Sequence, residues 1–158
     1  MSTTEITAAP GVHDFTITRT FDAPRDLVYR AWADPRLLEQ WMGPRGMSMH
    51  VQTWEIQTGG PWRFVNRDDK GTEYGFHGSF HGVASPDAGI TWTFEFEGMP
   101  GHVAMDTYTL EEQDGRTLYT SVTVFQSVED RDGMVASGME TGLSQSLDAL
   151  EKLVTERV

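Results

Sequence analysis

A chain of 158 residues with 38% hydrophobic and 23% charged side chains suits one domain with a substantial core and leaves little room for a second. Its 24 acidic residues against 12 basic ones leave a formal net charge of −12, with no Lys/Arg cluster to offset that field, so nucleic acid and anionic membrane are poor partners. With no cysteine, disulfides, thiolate nucleophiles, iron–sulfur clusters and cysteine zinc sites are excluded.

Residues 1–13 lack a basic stretch followed by an apolar one and read as a flexible leader; the cytoplasm is the expected compartment. No run approaches the roughly 20 apolar residues that span a bilayer, so membrane insertion is not expected. From Asp14 the string DFTITRTF alternates, with Phe15, Ile17 and Phe21 on one face of a first strand. Asp22-Ala23-Pro24 breaks it. Pro24 is suited to the start of a helix, and Leu27, Val28, Ala31 and Trp32 recur at helical spacing to Ala33. Asp34-Pro35 opens a second short helix with Leu37, Leu38 and Trp41 facing inward, stopped at Gly43-Pro44.

The middle is strand-rich. Strands are expected over Met47 to Ile56, Trp62 to Arg67, Tyr74 to Ala84, Ile90 to Phe96, His102 to Leu110 and Thr117 to Phe125. Their short, turn-like links favour antiparallel neighbours, because parallel strands need long crossovers. The clearest alternation sets Ile90, Trp92, Phe94 and Phe96 against Thr91, Thr93, Glu95 and Glu97. A long helix then begins between Glu129 and Gly133 and runs almost to the end, with Val135, Met139, Leu143, Leu147, Leu150 and Val154 in one stripe. Gly138 and Gly142 stand beside that stripe and suggest close packing or open space.

This order predicts an α+β domain over residues 14–157: a curved antiparallel sheet of six to seven strands around a long C-terminal helix, with two short helices after the first strand. Only the last helix is long enough to cover the sheet, and a curved sheet gripping one helix leaves a gap.

Several strings, in order, carry a resemblance: FDAPRDLVYRAWADPRLLEQWMGP, GGPWRF, YGFHGSFH, TFEFEGMPGH, and FQSVEDRDGM followed by the helix through SLDALEKL. From about Asp14 to Val154 the chain resembles the SRPBCC (START-related, birch-pollen-allergen-like) superfamily. Within it, the match is to the branch named after the C-terminal domain of the activator of heat-shock protein ninety ATPase. The resemblance implies a helix-grip fold with an internal cavity for hydrophobic small molecules. It implies no shared catalytic set.

The residues themselves point the same way. Phe76 and Phe80 alternate with His77 and His81, so if the rings are inside, the histidines lie on the solvated face rather than in a metal site. Glu95 and Glu97 read as exposed sheet residues, and Glu55 is expected to bridge Arg63. No nucleophile elbow or phosphate-cradling glycine pattern occurs, and nothing calls for a cofactor. What stands out is 5 Trp, 8 Phe and 8 Met in one small domain. As a set, these suit an apolar pocket. The candidate lining is Trp62, Phe64, Phe76, Phe80, Trp92, Phe94 and Met105 from the sheet, with Met134, Gly138, Met139, Gly142 and Leu143 on the helix side. Trp41 and Met42 stand at the mouth, and the paired glycines mark an expected entrance.

The leading expectation is a carrier, sensor or scavenger of a hydrophobic small molecule such as a lipid or aromatic metabolite. The alternative is a cavity enzyme of cyclase, dehydratase or hydrolase type, which needs Tyr74, Tyr108, Arg63 or His77 to point inward. A co-chaperone-like interaction is a weaker alternative, and a homodimer through a sheet edge is a possible assembly.

Overall fold

The computed structural model describes residues 4–43 and 45–156; Pro44, with which the second short helix was expected to stop, and the expected domain end at 157 lie outside the described residues. The elements in chain order are β1 (Glu5–Thr7), β2 (Asp14–Phe21), α1 (Arg25–Ala33), α2 (Pro35–Leu38), β3 (Ser48–Trp54), β4 (Pro61–Arg67), β5 (Glu73–Ser85), β6 (Gly89–Phe96), β7 (Val103–Gln113), β8 (Arg116–Val124), α3 (Val128–Ala136) and α4 (Met139–Glu156). The strands form one antiparallel sheet in the order β1-β2-β8-β7-β6-β5-β4-β3. Consecutive strands from β3 to β8 are neighbours, as their short links require. The one non-sequential pairing, β2 with β8, brings the first long strand beside the last.

The curved sheet with two short helices after the first long strand and a C-terminal helix across its inner face is the helix-grip arrangement expected from the element order. Two details differ. Glu5–Thr7, within the stretch expected to be a flexible leader, forms the edge strand β1, with Ile6 opposite Ile17. Three residues give too weak a pattern to be read from sequence, and the strand exists because β2 offers it a free edge. The terminal helix is also not one rod. It breaks between α3 and α4 at Gly138, whose φ of 81° is a left-handed conformation that glycine adopts without steric cost. A side chain there would meet nothing within 4 Å, so this glycine serves the bend and not close packing.

Helix starts follow local chemistry. Asp34 accepts a hydrogen bond from the Arg36 amide at 2.9 Å, and the Ser127 hydroxyl accepts one from the Asp130 amide at 3.1 Å, each satisfying a donor that an isolated helix start leaves unpaired. Amphipathic α4 buries Leu147, Leu150 and Val154 in a core cluster shared with Phe21, Val28, Trp32 and Tyr119. Buried Arg19 on β2 reaches Asp148 and Glu151 of α4, each at 2.7 Å, pinning helix to sheet.

At the β3–β6 end of the inner face, aromatic rings fill the space. Trp62 stacks on Trp92 with ring centroids 4.3 Å apart, Trp54 meets Phe80 edge-on at 5.1 Å, and Phe64 lies 5.2 Å from Phe76. Gly78 makes part of this possible. The Trp62 indole N–H crosses β5 to donate to the Thr93 carbonyl at 3.1 Å, and a Cβ on Gly78 would stand 1.8 Å from that oxygen.

Candidate functional site: a cavity between sheet and helix

On β7 the even-numbered positions face inward. Ala104, Asp106 and Leu110 are buried, while Met105 is 43% exposed on the outer face. On β8 the inward residues are Thr117, Tyr119, Ser121 and Thr123, followed by Phe125 just beyond the strand. Ala104, Ser121 and Thr123 are small, and they lie under α4 where the opposite end of the sheet carries rings. The result is a half-open cavity of about 210 Å³, bordered by Trp32 of α1, by Trp41 and Met42 after α2, and by Met139, Leu143 and Leu147 of α4. Met134 of α3 also lines it and is 39% exposed, so the cavity reaches the surface beside the α3–α4 bend.

One ionisable acid lies in this wall. Asp106 is 7% exposed. Its Oδ2 accepts from the Trp92 indole N–H at 2.7 Å and from the Tyr108 hydroxyl at 3.2 Å, and its Oδ1 is hydrogen-bonded to the Thr123 hydroxyl. Burial raises the carboxyl's pKa above the ordinary range, while the three hydrogen bonds pull it down without cancelling that effect. Burial first, and the adjacent Asp106 second, push the Tyr108 and Tyr119 hydroxyls upward as well. Among the described residues lining the cavity there is no Lys, Arg or His.

The sequence-derived lining divides into three groups. Trp41, Met42, Phe94, Met134, Met139 and Leu143 border the cavity. Trp62, Phe64, Phe76, Phe80 and Trp92 face inward as the alternation predicted, but they pack on one another rather than around the void. Met105, Gly138 and Gly142 do not line it: Met105 points outward, Gly138 is the bend, and Gly142 lies on α4 between the lining residues Met139 and Leu143 without bordering the void. The Met105 assignment inverts β7 by one residue, which sends every side chain of a strand to the wrong face. That inversion hid Asp106. The available signal was the shared parity of Ala104, Tyr108 and Leu110, three core-compatible residues against Val103 and Met105.

The outer face carries a different cluster. Arg63 grips Glu97 through two hydrogen bonds of 2.8 Å, and His77 Nδ1 sits 2.9 Å from the same carboxylate. The hydrogen bond from Arg63, more than any other influence, lowers the Glu97 carboxyl to about 2. Arg63 is thus engaged by Glu97 across the sheet and not by Glu55, because β5 between them carries Gly75, where a Cβ would stand 2.3 Å from Glu97 Oε1. His77 and Arg63 do not face the cavity, whereas Tyr108 does.

A larger cleft of about 950 Å³ lies between the 39–47 segment and α4. Its walls hold charged side chains such as Arg19 and Asp148, already paired with each other, and Trp41 and Met42 line both spaces. The smaller cavity, unlike that cleft, is lined mainly by apolar and aromatic side chains, which makes it the candidate site.

No helix among the described residues is long and apolar enough to cross a membrane. The sequence matches no curated protein. Solved structures similar to this one include a protein from Arthrobacter aurescens, 27% identical, covering 96% of this chain and 91% of that one, with a TM-score of 0.87. A Rhodobacter sphaeroides protein is 25% identical over 96% of this chain and 99% of that one, with a TM-score of 0.86. A Mycobacterium smegmatis protein, 24% identical over 95% of both chains with a TM-score of 0.84, shares the fold. The model of the Activator of Hsp90 ATPase homolog 1-like protein family matches residues 22–155, from the turn after β2 to the last turn of α4. The chain therefore belongs to that family, in the SRPBCC superfamily of helix-grip domains.

Proposed function

We propose that the protein binds a small, largely apolar molecule in the cavity between sheet and α4, as a carrier, sensor or scavenger. The observation that carries this reading is a void of about 210 Å³ walled by Trp32, Trp41, Phe94, Leu143 and Leu147. An apolar cavity of about 150 Å³ is enough to admit benzene, and drug-sized sites begin at about 300 Å³. The size suits one aromatic ring or a short aliphatic chain better than a whole lipid. In a thermal-shift series with toluene and indole, the wild type should gain melting temperature, by linkage, and a Leu143→Trp variant that fills the void should not. No shift in the wild type, or an equal shift in both, rejects the reading.

A second reading is a cavity enzyme, favoured by Asp106 with Tyr108 and Thr123 in the wall. A carboxyl kept neutral by burial can hand a proton to a bound substrate. Turnover of an aromatic metabolite pool by the wild type and not by Asp106→Asn supports it; unchanged pools with both proteins reject it. Cytoplasmic residence, a homodimer through a sheet edge and a chaperone contact belong to the same proposal. Light scattering tests the dimer, and a pull-down tests the contact.

A further inference from the structure

Among the described residues, none of the ion pairs gives the buried carboxylate of Asp106 a cation, and no Lys, Arg or His lines its cavity. The buried arginines are committed elsewhere: Arg19 to Asp148 and Glu151, and Arg131 to Asp132 and the Asp14 carbonyl. An ionised carboxylate offers about four lone-pair positions. Trp92, Tyr108 and Thr123 occupy three, which leaves Asp106 able to accept one more donor at the cavity wall. Around it stand aromatic rings from three elements, α1, β7 and β8. Trp32 and Tyr108 have centroids 4.4 Å apart, and Tyr108 and Tyr119 5.9 Å apart. Ring faces and a carboxylate together attract an organic ammonium ion, and desolvation strengthens both attractions.

We propose that the cavity's ligand is a small amine on an apolar body, its ammonium group held by Asp106 within the aromatic wall that Trp32, Tyr108 and Tyr119 form around it. This rests on the cavity being a ligand site. A purely apolar void needs no carboxyl in its wall, and a buried carboxylate without a countercharge is costly. An incoming cation supplies the missing charge, and the apolar body fills the space under Leu143 and Leu147.

The test compares benzylamine with toluene, one ring each, by calorimetric or fluorescence titration near neutral pH against wild type, Asp106→Asn and Leu143→Trp. Wild type should bind benzylamine at least about tenfold more tightly than toluene, and Asp106→Asn should lose that advantage while keeping its toluene affinity. Equal affinities for the two probes in the wild type, or an advantage that survives in Asp106→Asn, overturns the amine assignment and leaves the apolar site standing. Failure of both probes to bind wild type rejects the site itself. Should Asp106→Asn fail to fold, the Asp106 side-chain carboxyl carbon followed by NMR in wild type decides: benzylamine and not toluene should move that resonance, and an unmoved resonance at saturation overturns the proposal.

Discussion

The two ends of the sheet's inner face solve the same packing problem differently. From β3 to β6, ring lies on ring: Trp62 against Trp92, Phe64 against Phe76, Trp54 against Phe80. From β7 through β8 to β2, the positions under α4 include Ala104, Asp106, Ser121 and Thr123, which leave a void. The filled end rigidifies the sheet, and the open end is held in shape by it, through Trp92, which stacks in the first and donates its N–H to Asp106 in the second. The lesson is that aromatic residues serve both ends here, and that the small and polar residues among them mark where the void lies.

The strongest way to break this contrast is to cut its hub. Trp92→Ala should cost at least about 3–5 kcal/mol in urea denaturation, because it removes a fully buried indole and strips Asp106 of a donor. Leu143→Ala, at the wall of an existing void, should cost no more than about 2 kcal/mol. Comparable losses would mean that the two ends are equally well packed. Next in size, Gly78→Ala should destabilise by about 1–3 kcal/mol, since its Cβ meets backbone at Thr93. Gly75→Ala should cost less, because the atoms in its way are the movable ends of Glu97 and Arg63.

Two carboxyls sharpen the comparison by titrating in opposite senses. Burial raises Asp106 above its ordinary 3.8, so the folded chain holds that proton more tightly than the unfolded chain. The stability it contributes is present below the ordinary value and is lost as pH rises through the raised one. Asp106→Asn should therefore gain on wild type as pH climbs from 3.8 toward neutrality, read from urea midpoints across that range. A constant difference between the two proteins would refute the burial argument. Glu97 behaves in reverse. Its pKa falls from 4.5 to about 2, so its contribution is present above 4.5 and is lost as pH falls toward 2. The pair is substantially exposed, so Glu97→Gln should cost less than about 1 kcal/mol at neutral pH, with the difference fading near pH 2.

What the sequence by itself determined is what local periodicity encodes. A period of two in ITWTFEFE placed Ile90, Trp92, Phe94 and Phe96 inside, and Asp34-Pro35 placed the corner between α1 and α2. The spacing of Leu143, Leu147, Leu150 and Val154 marked α4 as the gripped helix, and these together with the ordered strings were enough for the fold and the superfamily. Six of the proposed lining residues border the cavity: Phe94, Met134, Met139 and Leu143 on strand or helix, and Trp41 and Met42 in the segment after α2. The tertiary structure alone decided the rest. On β7 both parities carry apolar side chains, so its inward face depends on pairing with β6, where Trp92 stands opposite Asp106, and with β8, where Thr123 does. Pairing ties that face to those of its neighbours, and which face of the sheet turns toward α4 is decided by packing between parts of the chain distant in sequence, as is the choice of which aromatic residues fill space and which surround it. No stretch of chain contains that information locally, which is why the carboxyl at the centre of the candidate site was assigned to the wrong face.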